Sequence, residues 1–101
     1  MQKVRQIVRQ YLTRKEIIMP KPKTSSGKKN LISQRLVELR KLHNLSQRDL
    51  AHKLQLAGYD MDKNVITRIE TNKRYVTDIE LQALCKVFHI SYDYLIEDNE
   101  N

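Results

Sequence analysis

The sequence predicts an all-α fold, a single domain of five short helices over residues 30–97. Three observations lead to it. Apolar residues recur at three-and-four spacing in successive segments, which puts them on one face of a helix turning every 3.6 residues. No stretch alternates apolar and polar with the period of two expected of a half-buried strand. Ser, Thr, Asn or Asp stands at nearly every segment boundary, where a side-chain oxygen can hold the free N–H groups of a first turn or a left-handed residue can close a last one.

The first segment, MQKVRQIVRQYLTRKEII, sets Val4, Ile7, Val8, Tyr11 and Leu12 on one face, so a short amphipathic N-terminal helix is expected. Three readings of it stay open: a docking helix, a membrane-surface helix, or residues upstream of a natural start at Met19. Pro20, Pro22, Gly27 and four lysines then disfavour both helix and core, so residues 19–29 read as a flexible basic linker. Residues 1–29 thus stand apart as a basic arm, and the domain boundary falls near Asn30. A domain of about 65 to 70 residues buries just enough surface to be stable alone, and the chain has no length for a second core.

Within the domain, Ile32, Leu36 and Leu39 share one side of a first helix that Asn44 is placed to stop. Ser46 can cap a second helix carrying Leu50, Ala51 and Leu54, with Asp49 complementing the positive end of the helix dipole. Asp62 can cap a third that runs to Glu70, and Asn72 suits a left-handed residue in the loop TNKRYV. Thr77 and Glu80 form a T-x-x-E capping box ahead of a fourth helix with Leu81, Leu84, Cys85 and Phe88 facing inward. Ser91 caps a fifth, and Ile90, Leu95 and Ile96 finish the apolar pattern; Tyr92 and Tyr94 are open to core, surface or a dimer contact, with core ranked first for at least one. Residues 98–101 are too polar and too terminal to be ordered.

Composition narrows the function. The net charge is +7, yet residues 1–30 hold nine Lys/Arg against one Glu, a net +8, while residues 31–101 hold ten against eleven acids, a net −1. The basicity belongs to the arm and does not by itself assign a partner to the domain. Cys85 is the only cysteine, so neither a disulfide nor a thiolate zinc site is expected, in keeping with a reducing, cytoplasmic setting. No run approaches the roughly 18 apolar residues that cross a bilayer, so no membrane partner is expected. His43, His52 and His89 are spread over three elements and assemble no metal-ligand set, two glycines cannot build a phosphate-cradling loop, and no Ser, His and acid set is evident. No metal, no cofactor and no enzymatic activity are expected.

The chemistry lies in the helix pair Ser46 to Leu56 and Asp62 to Glu70. At 100° per residue the second of these divides cleanly, with Val65, Ile66 and Ile69 on one side and Lys63, Asn64, Thr67 and Arg68 on the other. Taken alone, four polar residues on one face are more often just a solvated helix surface, and that reading stays open here; the same side chains also suit base edges. Arg and Lys donate to guanine O6 and N7, Asn pairs with adenine N6 and N7, and Thr offers a hydroxyl and a methyl.

ISQRLVELRK, LSQRDLAHKL, VITRIE with a basic loop after it, and TDIELQALCKVFHISYDYLI occur in that order. On these segments, residues 32–97 resemble the Cro and phage-repressor helix-turn-helix family, also called the xenobiotic-response-element family. The resemblance implies a lambda-repressor-like fold and sequence-specific binding of double-stranded DNA by a transcriptional regulator, a repressor held as a homodimer on a palindromic operator. It implies that Ser46 and Gln47 meet the DNA backbone or a neighbouring base, that Lys63, Asn64, Thr67 and Arg68 read bases in the major groove, and that Lys73 and Arg74 grip phosphate. It further implies an ion pair between Arg40 and Glu70. A protein-interaction module, such as the antitoxin of a toxin pair, is the alternative.

The sequence departs from the family at LQLAGYDMDKN, several residues longer than the usual tight turn. Either the second helix runs an extra turn to Ala57, or Gly58 to Met61 form a loop that packs Tyr59 or Met61 on the domain; the lengthened helix followed by a loop through Gly58 is favoured. Asn44, Asn72 and His89 also stand where the family often has glycine. No inducer pocket can be read from the sequence.

Overall fold

The structure, a computed structural model, describes residues 27–97; the expected N-terminal helix, the first part of the linker and the acidic tail lie outside the described residues. Five helices follow in order: α1 (Ser33–Leu42), α2 (Gln47–Leu56), α3 (Lys63–Glu70), α4 (Asp78–Phe88) and α5 (Tyr92–Ile96). Among the described residues there is no strand.

Side chains that the sequence marks as caps start four of the helices. Asp62 accepts from the Val65 N–H at 2.9 Å and Ser91 from that of Tyr94 at 3.1 Å. Thr77 and Glu80 close their box reciprocally, at 3.1 and 3.0 Å. Ser46 and Asp49 make a second box, the Ser46 hydroxyl accepting from Asp49 N–H at 2.9 Å and the Asp49 carboxylate from Ser46 N–H at 3.1 Å. Each such cap is worth about 1 kcal/mol, because it satisfies N–H groups that have no partner within the helix.

Three helices end through residues with positive φ: Asn44 (56°), Asn72 (59°) and His89 (55°). These are the glycine-like positions picked out above. Asn tolerates the left-handed region through its short polar side chain, whereas His89 adopts it at the cost of a Cβ clash.

The core joins Ile32, Leu36 and Leu39 of the α1 region, Leu50, Ala51 and Leu54 of α2, Ile66 and Ile69 of α3, Ala83, Leu84, Cys85 and Phe88 of α4, and Leu95 of α5. Burial holds the Cys85 thiol above its ordinary pKa. The apolar half of α3 is thereby fastened against α1 and α2. Neither Tyr92 nor Tyr94 enters the core: in the short helix α5 the inward positions are taken by Leu95 and, in part, Ile96, and the two tyrosines are about half exposed. The Tyr94 ring instead lies 4.4 Å beneath the Arg35 guanidinium.

The long turn combines the two alternatives instead of choosing between them. α2 runs to Leu56 with Ala57 as its cap residue, and Gly58 adopts φ 94°, a conformation that glycine enters without strain. The chain then returns inward, burying Met61 to 2% exposure and packing Tyr59 against the core. Met61 therefore anchors the segment that leads into α3.

Asn30 makes a clasp that the sequence did not announce. Its amide donates to the Ile69 carbonyl at 3.1 Å and the Arg74 carbonyl at 3.0 Å, while its own oxygen accepts from Ile32 N–H at 3.1 Å. Its backbone N–H donates to the Asn72 side chain at 3.2 Å, and Asn72 donates onward to the Ser33 hydroxyl. The entry to α1 and the loop leaving α3 are one hydrogen-bonded unit.

Candidate nucleic-acid interface

On α3, burial of Ile66 and Ile69 turns Lys63, Asn64 and Arg68 to solvent. Helix periodicity makes this division, since the two faces are fixed by spacing alone. Among the described residues, none engages the side chains of Lys63, Asn64, Arg68 or Lys73 in a hydrogen bond or ion pair. They are donors and acceptors with nothing inside the domain to satisfy them.

Thr67 is different. It is half-buried, and its hydroxyl donates to Gln47 Oε1 at 2.7 Å, with the Lys63 carbonyl also in reach at 3.0 Å. Its proton is committed, leaving its methyl group and oxygen lone pairs for an outside partner. Gln47, the first residue of α2, spans the two helices: its Nε2 donates to Glu70 Oε1 at 2.8 Å. A carboxylate only accepts, so the amide must present its nitrogen to Glu70 and its oxygen to Thr67, and chemistry fixes the amide orientation.

Glu70 in turn holds Arg40 in a bidentate pair, Nε at 2.7 Å and Nη2 at 3.0 Å, with side-chain exposures of 14% for Arg40 and 5% for Glu70. Nη1 of Arg40 donates to the Leu45 carbonyl at 3.0 Å, in the turn between α1 and α2. The hydrogen bond to Glu70 raises the Arg40 pKa against the opposing effect of burial, so its charge is fixed at every accessible pH. One carboxylate at the end of α3 thus ties together α1, the α1–α2 turn and the start of α2. Such a pair, desolvated on both sides, serves geometry more than net stability.

At the front of α2, the Ser46 oxygen and backbone N–H are both used in the capping box, so only its hydroxyl proton is left to offer. Asp49, fully exposed, is held below the usual carboxylate range by the backbone and side-chain hydrogen bonds from Ser46. It already neutralises this helix end, where an approaching phosphate would otherwise find the positive dipole.

In the loop after α3, Lys73 is exposed, but Arg74 is not free: its guanidinium pairs with the buried Glu80, the same carboxylate that closes the α4 capping box. Sequence reasoning missed this second ion pair, as it missed the Asn30 clasp. The Ser46 box had a visible signal, S-x-x-D, with Asp doing the work more often done by Glu.

A family model of helix-turn-helix proteins matches residues 36–95, more than half of the chain. The chain belongs to the Cro/C1-type helix-turn-helix family. No curated protein and no solved structure matches. Membership makes this a DNA-binding regulator of transcription, with α2 and α3 as the two helices that give the family its name. Among the described residues no helix is long and apolar enough to cross a membrane.

Proposed function

We propose that this helix-turn-helix protein is a repressor that binds a palindromic operator as a homodimer, laying one α3 in each of two successive major-groove segments. The observation that carries the reading is the outward face of α3: Lys63, Asn64 and Arg68 are exposed and unpartnered on a helix whose opposite face is fixed in the core. An Arg or Lys suits guanine, an Asn suits adenine, and a rigid support keeps them at groove depth. Thr67 takes a smaller part, through contact of its methyl with a thymine methyl. Gln47 acts first as a brace between α2 and α3, with one amide proton left for the backbone.

Lys73 supplies a phosphate contact that sets register without reading sequence, and Arg74 positions the loop through Glu80. Lysines 21–29 add charge along the backbone or in the adjacent minor groove. The test is selection of bound duplexes from random DNA. The expected product is an inverted repeat whose half-sites lie about 34 to 36 Å apart, one helical turn. Recovery of no common sequence overturns specific reading, and recovery of a lone half-site overturns the dimer. A reporter driven by a promoter overlapping the recovered site falls in output if the protein represses.

A further inference from the structure

We propose that the cleft between the C-terminal ends of α2 and α4 is a binding site for a small amphipathic monoanion, an aryl- or alkyl-carboxylate. The cleft has a volume of about 440 Å³ and lies among Lys53, Leu56 and Ala57 of α2 and its cap, Tyr59 of the long turn, and Lys86, Val87 and His89 at the end of α4. Small-molecule sites span roughly 300 to 1,000 Å³, and this one is a shallow depression open to solvent on its outer side, suited to a ligand that lies against one wall. None of these residues belongs to the outward face of α3, so the proposal stands independently of how DNA is read.

The lining divides by chemistry. Leu56, Ala57 and Val87 supply an apolar wall beside Tyr59, and Leu56, 75% exposed, is a large side chain with little of its surface covered. An uncovered leucine on its own is ordinary. Here it borders two ammonium groups, and no carboxylate lines the cleft. Two helix C-termini also meet there, each worth about half a negative charge, so two lysines leave a net of about +1. A single anionic group on an apolar body balances that charge and covers that wall.

Two features show the cleft to be more than a gap between helices. Ala57 and Tyr59 come from the lengthened turn, so a tight turn between α2 and α3 would remove one wall. His89 holds φ 55°, where a glycine would sit without strain, and so keeps an imidazole at the rim at a conformational cost.

The experiment is a titration of the full ¹⁵N-labelled chain with phenylpropionate, followed by amide chemical shifts, beside its neutral and cationic counterparts, phenylpropanol and phenylpropylamine. The expected result is saturable shifts confined to the amides around residues 53–59 and 86–90. Phenylpropanol binds more weakly and phenylpropylamine does not bind there. The double variant Lys53→Glu/Lys86→Glu, altered only at exposed positions, loses about tenfold in affinity for phenylpropionate. His89→Gly melts no lower than the parent yet binds less tightly, which a purely structural histidine would not show. Shifts that scatter over the surface or fail to saturate overturn the proposal, as does equal binding of the amine or indifference to the charge reversal.

Discussion

At the scale of single residues, the helix-turn-helix pair is held by side chains whose importance depends on their being shared. Glu70 accepts from two nitrogens of Arg40 and one of Gln47, and none of the three groups can be removed alone without stranding another. Glu70→Ala leaves Arg40 largely buried and unpaired, and should lower stability by more than about 1.5 kcal/mol in urea unfolding. A cycle with Gln47→Ala should give a coupling of about 0.5 to 1.5 kcal/mol, since both changes break the same contact; strict additivity would show that the brace is not felt. The outward residues behave differently because nothing inside depends on them. Arg68→Ala or Asn64→Ala should cost about 1 to 3 kcal/mol at particular base pairs and leave melting unchanged, whereas Lys73→Ala should weaken all sequences alike. Binding of operator and random duplexes separates the two cases, and equal losses on both for Arg68→Ala would contradict base reading. The sequence displays outward residues by periodicity. It does not display that Thr67 and Arg74 are already engaged, because Gln47 and Glu80 reach them through the fold.

At the scale of elements, the helices were legible because each carries its own start signal and apolar stripe, both local in sequence. The cap of α2 makes a prediction with a definite sign. Asp49 is held below its ordinary pKa by its hydrogen bonds to Ser46, so its contribution to folding is complete above the usual aspartate value and is lost as pH falls through the lower folded-state value. In Asp49→Asn the charge is absent throughout, so its stability gap from the parent should be widest near neutrality and narrow below about pH 4. Urea unfolding across that range checks it, and a gap that widens in acid would contradict the cap. Thr77→Ala should cost about 1 kcal/mol, and somewhat more than an isolated cap because Glu80 also carries Arg74. The turn between α2 and α3 was less legible. Its length was plain, but that Met61 becomes core follows only once the helices of the core cluster have come together. Tyr92 and Tyr94 stay outside the core for a related reason: the little inward surface of so short a helix is taken by Leu95 and Ile96.

At the scale of the whole molecule, charge and fold are separated. The domain after residue 30 is nearly neutral and residues 1–30 carry the excess charge, so under the proposed mode of binding the response to salt should fall mainly to the arm. Features that join remote segments, such as the Asn30 clasp and the cleft between α2 and α4, left no trace in the sequence because no local pattern encodes a meeting of distant residues. The separation of charge is itself testable. Replacing Lys21, Lys23, Lys28 and Lys29 with Gln leaves the Asn30 hydrogen bonds in place and gives up surface contacts such as that of Lys29 over the Tyr75 ring, 5.8 Å away and worth about 0.5 to 1 kcal/mol, so the domain should stay folded. Each lysine that neutralises a phosphate releases condensed counterions, contributing about 0.9 to the slope of log K against log salt. The four substitutions should therefore flatten that slope by about two to four units while the ratio of operator to random-DNA affinity stays within about threefold. Binding measured over a series of salt concentrations gives both quantities at once. A slope that does not change would show that these lysines stay clear of the DNA, and a collapse of the ratio would move sequence reading from α3 into the arm.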